Sequence, residues 1–172
     1  MKRNVIFAVA LAIAVALAGC SKGEDGTENN NNMDDVKEIT ADIRKHIVGK
    51  WVCDGHFGGS FPTLNGNTAT ATFDYTNERD YDNEKDVVQF FSDGKLLITP
   101  EGETEPLQAS YEVPEPDTSA AIYFVAKINI IIPSEYGYIR IGSMKNVLFE
   151  PGYDTMCLLK TGDFWRYRRI KQ

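Results

Sequence analysis

The spacing of apolar positions changes character twice along this chain. Val5 to Leu17 is an unbroken apolar run, shorter than the roughly 20 residues that a membrane-spanning helix needs. Further on, Val36, Ile39, Ile43 and Ile47 recur at intervals of three and four with charged residues between them. That period predicts one amphipathic helix, capped at its start by Asp34 or Asp35 and ended at Gly49. After Gly49 the period becomes two. From Thr68 to Thr76, Ala69, Ala71, Phe73 and Tyr75 fall on one face, and Thr70, Thr72 and Asp74 on the other. Leu107, Ala109, Tyr111 and Val113 oppose Gln108, Ser110 and Glu112, and Ile122 to Ile132 carries one apolar face through Lys127 and Asn129. Such alternation predicts half-buried antiparallel strands with one face on a core and one toward water.

Turn chemistry divides these strands. Asp93-Gly94 lies between Val87–Ser92 and Lys95–Thr99, and Thr161-Gly162-Asp163 joins Thr155–Lys160 to Phe164–Ile170. Both read as hairpins. Trp51–Phe57 and Tyr138–Gly142 bring the expected total to eight or nine strands. So many short strands in one domain form a sandwich or a barrel, and alternation by itself does not choose.

The N-terminus changes the picture of where the domain works. Lys2 and Arg3 precede the apolar run, and Leu17-Ala18-Gly19-Cys20 follows it. Charge, a short apolar stretch and small residues make a signal peptide, and the tetrapeptide resembles the lipobox of bacterial lipoproteins. The resemblance implies cleavage before Cys20 and acyl chains on its thiol, with two or three chains giving a durable membrane anchor. Ser21-Lys22-Gly23-Glu24-Asp25 is similar to the acidic tract that directs lipoproteins of Bacteroidetes to the cell surface, which implies an outer-membrane lipoprotein facing outward or into the periplasm. Gly23 to Asn32 has no apolar residue and reads as a flexible tether. The expected organisation is therefore a signal peptide at 1–19, a lipidated tether at 20–33 and one folded domain at 34–172.

Charge and cysteines narrow the function. Loss of Lys2 and Arg3 with the signal takes the formal charge from −7 down two units to −9. An acidic chain is unsuited to nucleic acid, whose phosphates call for a basic surface. Cys53 and Cys157 remain besides Cys20. In an oxidising compartment this even pair would form a disulfide, and in an apolar core it would serve equally well as two buried thiols.

Candidate catalytic and metal-binding residues are sparse. His46 and His56 are the only histidines, and neither has the spacing of a zinc site or a nucleophile elbow around it. Asp80, Asp82, Glu84 and Asp86 begin like a calcium loop, but Lys85 stands where the turn glycine belongs and Phe91 where the bidentate glutamate belongs. Glu101 to Glu105 and Glu112 to Asp117 read as exposed acidic loops. No phosphate-cradling or dinucleotide motif occurs. The expectation is a protein that is not an enzyme and has no cofactor or metal.

Gly49-Lys50-Trp51, directly after a short helix, is similar to the Gly-x-Trp signature of the lipocalins. In that family the tryptophan packs at the closed end beneath a basic side chain from the last strand. Here the last strand reads Phe164-Trp165-Arg166-Tyr167-Arg168-Arg169-Ile170, and Arg166, Arg168 or Arg169 is available for that cation–π contact. Tyr138 to Ile170, with Asp154-Thr155-Met156-Cys157-Leu158-Leu159, also resembles the C-terminal half of lipocalin-like lipoproteins of Bacteroidetes. The Thr-Asp-Tyr of the second lipocalin signature is absent. The resemblance implies an all-β, antiparallel up-and-down barrel of about eight strands with a short N-terminal helix. It also implies a small apolar or amphipathic ligand in the barrel mouth, with Ala69, Ala71, Phe73, Tyr75, Ala109 and Tyr111 as expected inner-wall residues. The alternative is a filled barrel that meets an envelope partner through its loops, above all Phe57 to Leu64.

Overall fold

The computed structural model describes residues 28–59, 62–79, 85–115, 127–133, 143–160 and 162–171. The expected features at Cys20, Phe61, Asp80–Glu84, Ile122–Ala126 and Tyr138–Gly142 lie outside them. Met33–Gln172 forms one compact unit.

Helix α1 (Glu28–Ile47) starts earlier than either aspartate expected to cap it, so Glu28 to Met33 leave the segment read as tether. Once a helix is nucleated, each further residue adds a hydrogen bond at small entropic cost, so the apolar stripe does not mark its beginning. Its end is where the sequence puts it. Gly49 has φ +145°, and the chain turns there into β1 (Gly49–Gly58).

After β1 come two short strands, β2 (Thr63–Leu64) and β3 (Ala71–Thr72), which pair only with each other. The meander then continues through β4 (Val87–Phe90), β5 (Lys95–Thr99), β6 (Leu107–Glu112), β7 (Lys127–Ile131), β8 (Ser143–Phe149), β9 (Thr155–Lys160) and β10 (Asp163–Arg169). β1 and β4 to β10 close into one barrel in the order β1-β10-β9-β8-β7-β6-β5-β4. Every neighbouring pair is antiparallel. This is the up-and-down all-β barrel of about eight strands that the resemblance at Gly49-Lys50-Trp51 implies, and of the sandwich and barrel left open by alternation it is the barrel. Gly94 (φ 85°) and Gly162 (φ 81°) take the left-handed conformation in the two expected hairpins.

Pairing fixes which side chains face inward. Trp51, Val88, Phe90, Leu96, Ile98, Ile128, Val147, Phe149, Met156 and Leu158 share one phase of the register and are buried. The opposite phase on β5 to β7, with Lys95, Gln108, Ser110 and Ile131, is exposed. At one end α1 seals the barrel with the buried Val36, Ile39, Ile43 and Ile47.

The outer face of β8, β9 and β10 is covered as well. Phe73 and Tyr75 lie on Phe164, with ring centroids 5.3 Å and 5.9 Å away, and Phe57 lies 5.5 Å from Phe164. The Tyr75 hydroxyl donates to Glu150 Oε1 at 2.7 Å and stands 3.7 Å from Cys157 Sγ. The described part of the β1–β4 connection, residues 62–79, thus wraps the barrel from outside. It is tied to the end of β8 by a bond from the Phe149 N–H to the Ala69 carbonyl, and to β1 by one from the Gly58 N–H to the Asn77 carbonyl. The alternation in 68–76 is real, but it belongs to this wrap. β9 consequently lies between two cores and is buried from Thr155 through Leu159.

Candidate functional site

The inner wall divides along the barrel axis. The sealed half holds Trp51, Phe90, Phe149 and Met156, all nearly inaccessible. Trp51 donates its indole N–H to the Ile47 carbonyl at 2.9 Å. Its face carries the guanidinium of Arg169, 4.0 Å from the ring centre. Arg169 also donates to the carbonyls of His46 (2.6 Å), Val48 (3.0 Å) and Tyr153 (3.2 Å). It therefore joins the last strand to the first strand, to α1 and to the β8–β9 turn.

This is the cation–π latch expected at the barrel floor, and Arg169 is its cation. Arg166 and Arg168 are not. They sit in the opposite phase of β10 and reach outward to the same carboxylate, Asp54, each at 2.7 Å. A bulge between Cys53 and Gly55 sets Gly55 opposite Arg166 and brings His56 into the inward phase opposite Trp165. Gly49 takes part through its small size, because a Cβ there would collide with the Arg169 guanidinium.

Toward the other end the wall becomes polar and aromatic. His56 pairs with Trp165 across β1 and β10, and the two rings stack at 4.6 Å with planes 10° apart. Asp163 Oδ1 lies 3.8 Å from His56 Nε2 and 3.5 Å from Arg79 Nε. Burial lowers the His56 pKa against the opposing pull of Asp163, favouring the neutral ring. Lys145 projects from β8 in the inward phase of Val147 and Phe149, with Nζ 5.4 Å from the Trp165 ring centre. Its pKa falls because burial disfavours the charge, and Lys160 adds repulsion. Desolvating an ammonium costs several kcal/mol unless it is compensated. Next to this group Cys53 faces Tyr167, and Tyr167 has its pKa pushed well up by burial, then by Cys53 and Asp86.

Comparison with protein-family models, with curated proteins and with solved structures found no match. The site is therefore read from its own chemistry.

Of the expected inner-wall residues, Ala109 and Tyr111 do face the interior. Ala109 pairs with Leu96 and Tyr111 with Ile130, and the Tyr111 hydroxyl donates to the Phe91 carbonyl at 2.7 Å. Ala69, Ala71, Phe73 and Tyr75 do not. They belong to the outer wrap, where their apolar face packs on the barrel instead of lining it. His46 is also away from the mouth, stacked on Tyr153 at 3.6 Å. Lys145, His56 and Trp165 were not among the expected ligand residues. Phase counting through Ser143–Phe149 would have found Lys145 had the consecutive apolar residues Val147, Leu148 and Phe149 not hidden the alternation.

Of the two alternatives left open for the cysteines, the structure has the buried thiols: Cys53 and Cys157 are free. Phase explains this: Cys53 points inward beside Tyr167, whereas Cys157 points outward beside Tyr75, on opposite sides of the sheet. Burial pushes the Cys53 pKa up to about 11 and that of Cys157 to about 12. In the whole chain carrying Cys20→Ser, both should resist alkylation while folded. Both should react on denaturation without prior reduction, as read by intact mass. Labelling that appears only after a reductant would contradict the opposed geometry.

Proposed function

We propose that this protein is an outer-membrane lipoprotein, anchored through acyl chains on Cys20, whose barrel binds one small amphipathic ligand in its mouth without catalysis. The observation that carries this reading is the change of wall along the axis. A purely structural barrel would extend the packing of Trp51, Phe90 and Phe149 from end to end. Here the upper half instead presents stacked His56 and Trp165, the buried Lys145, and half-buried Leu107 and Ala109. Small-molecule sites characteristically combine apolar walls with a few convergent polar groups. Burial raises the pKa of Cys53 and Cys157 and so holds both thiols protonated, which is poorly suited to nucleophilic chemistry. The alternative interaction reading loses one of its anchors, because Phe57 is 3% exposed and belongs to the outer aromatic cluster.

The unacylated chain (Cys20→Ser) should bind an environment-sensitive amphiphilic dye saturably, one per chain. Trp165→Phe should weaken that binding several-fold. Native mass spectra of protein isolated without detergent should show a mass that is lost on denaturation. Non-saturating dye uptake together with a clean mass after exposure to lipid extracts would sink the ligand reading.

A further inference from the structure

Lys145 is 5% exposed, yet its ammonium forms no ion pair with the carboxylate of any described residue. Two described acids have other partners. Asp163 faces Arg79 and His56, and Asp86 accepts the Glu101 N–H at 2.9 Å. The nearby charge that acts on Lys145 is Lys160, of the same sign. Buried charges in folded proteins are ordinarily paired, and an inward-facing lysine with no counter-ion among the described residues leaves that role open to whatever enters the site. The Trp165 face beside it partly offsets the charge by cation–π attraction and offers a flat apolar surface next to the ammonium.

We infer that the mouth ligand is an amphiphile with a single acidic headgroup, whose anion pairs with Lys145 while its apolar part lies along Trp165 and the inner wall toward Ala109 and Leu107. This inference rests on the ligand-binding reading and specifies its chemistry. Lys160, exposed at the end of β9 in the inward phase of Leu158, adds positive potential at the entrance. Arg79 largely balances Asp163 there. Lys145 is the charge-reading residue and Trp165 the packing residue.

Dodecanoate and its methyl ester share a chain and differ in charge. On the unacylated full-length protein, competition against a bound dye should show dodecanoate at least tenfold tighter than the ester. Lys145→Met should remove most of that difference by weakening the acid and leaving the ester unchanged. Lys145→Arg should keep the preference. Lys145→Met should also raise the urea midpoint of the empty protein, because it replaces an uncompensated buried charge with an apolar side chain of similar length. That midpoint separates loss of recognition from loss of fold. Equal binding of acid and ester, or equal weakening of both in a folded Lys145→Met protein, would overturn the acidic headgroup and leave ligand binding standing. Failure of both probes and of the dye to bind the unaltered protein would overturn both readings.

Discussion

Arg169→Ala is expected to destabilise the barrel by about 3–5 kcal/mol, measured as a lowered urea midpoint. The figure combines hydrogen bonds from a charged donor with a cation–π contact of up to about 2 kcal/mol when desolvated. The guanidinium serves three backbone carbonyls and one indole at once. Alanine would leave the carbonyls of His46, Val48 and Tyr153 without this donor, and the floor would lose its tie to α1. Arg169→Lys should recover less than half of the loss, because one ammonium cannot reproduce a planar fork over Trp51. Arg168→Ala is the matching control. It has the same charge on the same strand, exposed and with its guanidinium on Asp54, and its loss should cost at most about 1 kcal/mol. Equal effects at Arg168 and Arg169 would contradict the floor latch.

Phe164→Ala should cost about 3–5 kcal/mol, as removal of a buried phenylalanine does, and it should act from outside the barrel. Phe164 lies under Phe57, Phe73 and Tyr75, so its loss opens a void beneath the wrap. Limited proteolysis should then cut within 62–79 faster than in the unaltered protein, while near-ultraviolet dichroism from Trp51 in the sealed interior is retained. Loss of the Trp51 signal in step with the new cleavage would mean that outer and inner cores are not separable.

The strands were legible because β6 carries clean alternation and the hairpins at Gly94 and Gly162 carry unambiguous turn chemistry. The floor was legible from Gly49 and Trp51. Two features were not. Alternation in 68–76 shows that one side is buried, but not whether it is buried inside a closed sheet or against its outer surface. Only pairing settles that, and Phe73 and Tyr75 therefore belong to the wrap. The run Thr155-Met156-Cys157-Leu158-Leu159 is apolar on both faces, so it has no phase to read. Without a phase, neither the separation of Cys53 from Cys157 nor the choice of Arg169 over Arg166 could be deduced. The mouth was hidden for the same reason, since the phase of Lys145 depends on β8 next door.

The floor latch also sets the order in which the molecule can be completed. Arg169 reaches carbonyls as much as 123 residues earlier in the chain, and β1 finds its β10 partner only when the last strand is present. Closure therefore depends on contacts of high sequence separation, which form slowly. A nascent chain lacking its final strand has an open sheet with two unpaired edges and a floor without its arginine. The barrel therefore locks from the end that is made last.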